Sequence, residues 1–282
     1  MSRRLPGRWC AWLACAALVP AIGAAQAPPA STVAAIRYGT LRGFPVAGLV
    51  AGADTARRLD IALMVWLVRH GSGRTVLVDA GFYRDRFTNR WHPADYARPS
   101  DAVQAAGVRP EAVTDIIVTH VHWDHMDGLD LFPNAHVWIQ REEYAHHVDE
   151  TGRALDRMVD SVDAAMLHAL RAAGRVTLVD GDAREVLPGL TVYTGGKHTF
   201  ASQYVGVATA AGTVVVASDN AYLYENLATQ VPIAQTLDPA SNRAAQQRML
   251  RLAADPRLVV PGHDAGVFAR FGAPGDRVVE IR

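Results

Sequence analysis

Residues 119–128 read THVHWDHMDG, which sets His120, His122 and His125 beside Asp124 and Asp127 within ten positions. The stretch continues TDIIVTH without a break, and its β-branched run predicts a strand that delivers the cluster at its end. His120 and His122 are two apart, so side-chain alternation puts both on one face. Asp124 and His125 follow where the chain must turn toward a helix, and approach the same space from another side. Zinc takes imidazole nitrogen and carboxylate oxygen readily. A single histidine is ordinarily a surface or core residue, but three in six positions fused to an apolar strand predict part of a metal clamp.

A clamp needs donors from elsewhere, and each candidate follows an apolar run: His198 after LTVYTGGK, Asp219 after GTVVVAS, and His263 after RLVVPG. Strand ends gathered at one rim would bring them together. The other histidines have no such setting. His136 falls on a predicted strand, His146, His147 and His168 on predicted helices, and His70 and His92 in loops, so all six are read as structural or solvated.

The first residues read as a secretory leader. MSRRLPGRW is a positive n-region, CAWLACAALVPAIG an apolar segment broken by Pro20, and AQA, ending at Ala27, a small-residue cleavage site. Residues 1–27 are therefore expected to be a signal peptide, with the product periplasmic or secreted and without stable membrane insertion after cleavage. Cys10 and Cys15 both lie in the leader, so the mature chain would have neither disulfides nor thiolate ligands. The whole chain has 28 basic and 28 acidic side chains; losing Arg3, Arg4 and Arg8 leaves 25 against 28, a formal charge of −3. Such a balance offers no basic stripe for phosphates and argues against nucleic acid as a partner.

Along the mature chain, residues 28–58 are rich in Pro, Gly and Ala and are expected to form an arm that wraps the domain. LDIALMVWLVRH and RTVLVDAGF, separated by GSG, predict a hairpin of buried strands. PSDAVQAAGV carries a helix-start signal at Ser100 or Asp101. AHVWIQ, RVTLVD, LTVYTG, YVGVATAAGTVVVASD and LVVPGHD predict further strands, with Gly212 marking a hairpin. REEYAHHV and SNRAAQQRMLRLAA predict helices, as do residues 153–173, where Leu155, Val159, Val162, Met166 and Leu170 recur at helical spacing. Strand clusters alternating with helices in both halves suit a single α/β domain over 28–282, two mixed sheets packed together with helices outside.

At this point the chain resembles the metallo-β-lactamase superfamily, marked by H-x-H-x-D-H and then a distant His, Asp and His. The resemblance implies the αββα sandwich of that family. It further implies two divalent metal ions per chain, zinc being the expected species: His120, His122 and His198 on one, Asp124, His125 and His263 on the other, and Asp219 bridging. Asp79, in VDAGF, matches the aspartate that braces the family's histidine loop. SDNAYLYENL, with Tyr222 three residues after Asp219, and VVPGHDAGVFARF are similar to the N-acyl homoserine lactone lactonases, in which such a tyrosine faces the substrate carbonyl. That branch implies a small-molecule lactone opened by a hydroxide bridging the metals, with Tyr222 and Asp124 as catalytic residues. GGKHTFASQ departs from the family, which carries glycine before the third histidine and Pro-Gly after it, where this chain has Lys197 and Phe200-Ala201. The alternatives are hydrolases of the same fold acting on aryl esters, organophosphates or β-lactams, and a persulfide dioxygenase-like oxidoreductase with one iron.

Overall fold

The apolar run at residues 59–70 becomes β2 (Arg58–Arg69). Ala62, Met64, Trp66 and Val68 enter one buried cluster while Ile61, Leu63, Val65 and Leu67 enter another. A strand covered on both faces has no position left for alternating polar residues, hence the continuous apolar pattern. β2 pairs antiparallel with β3 (Thr75–Val78), the hairpin expected from sequence. The computed structural model describes residues 1–2, 30–273 and 275–282, so the expected signal peptide lies outside the described residues apart from Met1 and Ser2.

Around that hairpin a seven-stranded sheet runs β12-β1-β2-β3-β4-β5-β6, where β1 is Thr32–Pro45, β4 Asp115–Ile117, β5 His136–Gln140, β6 Val176–Val179 and β12 Val278–Glu280. Pairing is antiparallel from β12 to β3 and parallel from β3 to β6. The second sheet has five strands in the order β11-β10-β9-β8-β7: β7 Arg184–Leu187, β8 Leu190–Thr194, β9 Gln203–Thr209, β10 Gly212–Ser218 and β11 Val259–Pro261. Its β10–β11 pair is parallel and the others antiparallel.

Trp66, Val76 and Val78 of the first sheet share a buried cluster with Val192, Val205, Val207 and Val216 of the second, which is the layer between the sheets. On the outer face of the first sheet, Leu77, Ile116, Val137 and Ile139 meet α1 (Asp85–Trp91), α2 (Pro99–Ala105), α4 (Arg141–His147) and α5 (Ser161–Ala172). On the outer face of the second, Tyr204, Val215 and Ala217 meet α6 (Tyr224–Thr229) and α7 (Pro239–Leu252). The layers are therefore helix, sheet, sheet, helix, an αββα sandwich. Two short helices remain: α3 (Trp123–Met126) after β4 and α8 (Gly266–Phe271) after β11. Among the described residues no helix is long and apolar enough to cross a membrane.

Three expectations change. Residues 32–45, read as part of a wrapping arm, instead form β1, which pairs along its length with β2. Register shifts between Arg37 and Gly39 and between Leu41 and Phe44 interrupt its two-residue period, so the burial pattern loses the signature of a strand. The helix expected from residue 153 begins only at Ser161, where the Asp160 carboxylate caps the Val162 amide; Leu155 lies before it and is exposed. Finally, α2 starts at Pro99, whose fixed φ suits a first helical position, and Ser100 and Asp101 lie inside the helix.

Candidate metal centre

The parallel strands β3 and β4 end side by side, and so do β10 and β11, at one rim of the sandwich. Asp79 follows β3, the His120–His125 segment follows β4, Asp219 follows β10 and His263 follows β11; His198 comes from the loop between β8 and β9. All seven expected donors meet there in two groups: His120, His122, His198 and Asp219, and Asp124, His125 and His263. His122 Nδ1 lies 3.0 Å from His120 Nε2 and 2.9 Å from His198 Nε2. Asp219 Oδ2 lies 3.4 Å from His198 Nε2 and 3.3 Å from His125 Nε2, while its Oδ1 lies 3.1 Å from His263 Nε2. Asp219 thus stands between the groups, one oxygen toward each histidine loop and the other toward His263. Asp124 Oδ2 completes the second group at 3.6 Å from His125 Nε2 and 3.7 Å from His263 Nε2.

These separations suit cations. Four donors around zinc with bonds of about 2.0–2.1 Å stand about 3.3 Å apart, the edge of the tetrahedron. His125 Nε2 and Asp219 Oδ1 are buried and have no hydrogen-bond partner, the condition of atoms that a metal would satisfy. The opposite ring nitrogens are held from behind, which fixes tautomer and aim. His198 Nδ1 donates to the Gln235 carbonyl at 2.8 Å, His263 Nδ1 to the Ala62 carbonyl at 3.0 Å, and His125 Nδ1 to Asp79 Oδ2 at 2.8 Å. Asp79, fully buried and in the left-handed region at φ 63°, also accepts from the Thr119 amide and hydroxyl and the Ser218 hydroxyl. It sits behind the histidine loop, as the sequence implied.

Charge divides the site. Burial, then the neighbouring imidazoles, holds His120 well below the ordinary histidine range, and His122 and His198 are lowered with it. Neutral imidazole is the form that binds metal. His125 and His263 go the other way: burial would lower them, but Asp219 and Asp124 outweigh it and raise both. Asp219, which burial alone would raise, is held well below the carboxylate range by His125 and His263.

The donors floor a cleft. His122, Asp124, Asp219 and His263 open into it beside Tyr222, and its wall is Leu41, Phe44, Leu49, Ile61, Leu63 and Trp91. The Tyr222 hydroxyl lies 3.4 Å from His198 Nδ1, and burial raises it well above the usual tyrosine range, so it keeps its proton. Trp123 also lines the cleft, yet most of its ring is packing: Phe87 stacks on it at 4.8 Å and Trp91 at 5.4 Å.

Residues 63–263, from β2 to the last histidine of the site, match the family model of the metallo-beta-lactamase superfamily. The chain belongs to the metallo-β-lactamase superfamily. Among curated members, the N-acyl homoserine lactonase AiiA of Bacillus thuringiensis subsp. kurstaki is 28% identical over 165 residues. The match covers 57% of this chain and 60% of AiiA, so the chain spans less than two thirds of that relative's length. Among solved structures, a mutant of B. thuringiensis AiiA with N-decanoyl-L-homoserine bound superposes with a TM-score of 0.69 at 20% identity, over 86% of this chain and 96% of that one. AidC, a dizinc quorum-quenching lactonase with a hexanoyl homoserine product bound, gives 0.62 at 15% identity, over 84% and 89%. At such identities these structures establish the shared metallo-β-lactamase fold.

Sequence reasoning passed over several buried polar groups behind the metallo-β-lactamase motif. Glu143, Gln203, Ser218 and Asn220 are all almost fully enclosed. Only Ser218 carried a signal, its place beside Asp219 at a strand end. A third donor group, His146, His147 and Asp156, lies on and beside α4; His147 Nδ1 donates to Asp156 at 2.8 Å, and the His146 ring stacks on Phe200.

Proposed function

We propose that the protein is an exported hydrolase with two metal ions, zinc the expected species, that opens the ring of N-acyl homoserine lactones. The observation that carries this reading is the meeting of two donor groups on Asp219 at the floor of an apolar-walled cleft. His120, His122 and His198 would hold one ion and Asp124, His125 and His263 the other, with Asp219 shared. Two such cations lower the pKa of a water and polarise a carbonyl. The chain does the rest. Tyr222 donates its hydroxyl proton as a hydrogen bond to the lactone carbonyl oxygen, where negative charge develops during attack. Asp124, at the cleft floor, takes the proton of the attacking water and passes it to the departing ring oxygen. The apolar wall from Leu41 to Trp91 covers an acyl chain and keeps solvent from it.

The lactonase names and bound homoserine products of the relatives support the substrate class, and the second donor group favours two ions over a one-iron oxygenase. Export rests on the composition of residues 1–27. The test is a panel of acyl homoserine lactones, β-lactams, phosphotriesters and S-lactoylglutathione offered to the purified, metal-analysed protein. Lactone opening, followed by proton release, is expected to dominate with about two zinc ions per chain, and to collapse in His122→Ala. Turnover of another class in preference to lactones, or full activity in that variant, refutes the reading.

A further inference from the structure

Glu143 is a charged side chain fully removed from solvent that the proposed chemistry does not use. Among the described residues the one basic side-chain nitrogen within 4 Å of its carboxylate is His147 Nε2, 3.8 Å away and beyond hydrogen-bond reach. A buried carboxylate without a cation needs strong donors to replace water. Glu143 has three, and they come from two loops. The Val121 amide, between His120 and His122, donates to Oε1 at 3.2 Å. The Thr199 hydroxyl donates to the same oxygen at 2.6 Å, and the Ala201 amide to Oε2 at 2.6 Å. Thr199 directly follows His198.

One carboxylate therefore grips the backbone between two histidines of the first donor group and the residues just after the third. The first loop comes from the seven-stranded sheet and the second from the five-stranded one. The helix that carries Glu143 adds the stacking of His146 on Phe200, with ring centres 3.9 Å apart. The second donor group has its own brace in Asp79, which bonds His125 directly. The braces are separate side chains: Asp79 bonds His125 directly and reaches His120 only through the Thr119 hydroxyl, whereas the donors to Glu143 flank the three histidines of the first group.

We propose that Glu143 is a positioning residue that presets the three-imidazole face formed by His120, His122 and His198, as Asp79 does for His125. The inference rests on the proposed metal site but not on the lactone as substrate. Glu143→Gln keeps the volume but turns one acceptor into an NH2 group, so at least one of the two backbone amides faces another donor and its loop loosens.

The experiment titrates the metal-free full-length protein with Zn2+ against a chromophoric chelator, with His198→Ala and His263→Ala identifying the two sites. Glu143→Gln is expected to weaken the His198-dependent site by about 10–100-fold, the usual cost of losing such an outer partner, while the His263-dependent site stays within about twofold. Exposed Glu142→Gln should bind both ions like the wild type. Glu143→Asp, one methylene shorter, reaches one loop only and serves as the second variant should the first not fold; the same selective loss is expected. Unchanged affinity at both sites, or equal weakening at both with a lowered melting temperature of the metal-free protein, overturns the proposal. A wild type that binds two ions tightly and leaves lactones untouched refutes the substrate reading and leaves Glu143 standing.

Discussion

Tyr222 is set to donate. The acceptor for His198 Nδ1 is the Gln235 carbonyl at 2.8 Å, so the tyrosine hydroxyl, 3.4 Å from that nitrogen, is not committed to it. Loss of one donor to a developing oxyanion costs about 10²–10³ in kcat. Tyr222→Phe should lower kcat on a lactone by about that factor with both metal ions retained, as steady-state kinetics and metal analysis would show; unchanged kcat removes the hydroxyl from the chemistry. Asp163 makes a case about stability. Burial, then the charges of Asp127 and Asp160, pushes its carboxyl up to about 8, and its Oδ2 is buried without a partner. Its folded pKa lies above its unfolded one, so its contribution is whole below about pH 4 and is lost as pH rises through about 8. Asp163→Asn, which cannot ionise, should therefore melt above the wild type at pH 9, with the gap closing by pH 5. A gap that widens toward low pH would reverse that sign.

At the scale of elements, the ligand loops work because strands end close together, and the space between them is small. A Cβ on Gly262, just past β11, would stand 2.7 Å from Asp219 Oδ1 and 2.8 Å from the Ser218 carbonyl oxygen. Gly262→Ala must push the end of β10 or turn the Asp219 carboxylate, and overpacking of this kind costs about 1–3 kcal/mol. The variant should lose Zn2+ affinity about tenfold or more although no ligand is changed, readable by chelator competition; wild-type affinity would mean that the loop yields without moving Asp219. The same closeness explains what was legible. β2 and β10 announced themselves because two layers bury most of their length, which is correspondingly apolar. β1 did not, because its register slips move the buried set from one parity to the other. The false start of α5 has a different cause: Asp149, Asp156 and Asp160 bond amides two residues on, and such turns compete with helix whatever the spacing of Leu155 and Val159. The seven donors were readable because each lies in a segment that leads out of an apolar strand, whereas Glu143 sits in REEYAHHV like any acid in a first helical turn, and only burial separates it from Glu142.

At the scale of the molecule, the donors are divided between the sheets. His120, His122, Asp124 and His125 hang from the seven-stranded sheet, and His198, Asp219 and His263 from the five-stranded one. A cation in either group therefore ties the two halves of the sandwich across their open rim. Without one, the ties at that edge are hydrogen bonds such as His263 to Ala62, Thr199 to Glu143 and Ser218 to Asp79, along with the attraction of His125 and His263 for Asp219. Binding to the folded chain alone stabilises it by about 4 kcal/mol at a thousand times the dissociation constant. For a domain of this size, each kcal/mol is worth about 2–4 °C in melting temperature. Stripping the protein with a chelator should thus lower Tm by about 10 °C, and two equivalents of Zn2+ should restore it. The drop should shrink sharply in Asp219→Asn, which disturbs the carboxylate that stands between the two groups. If differential scanning fluorimetry finds the same Tm with and without metal, the cations do not join the sheets, and the rim is held by its hydrogen bonds alone.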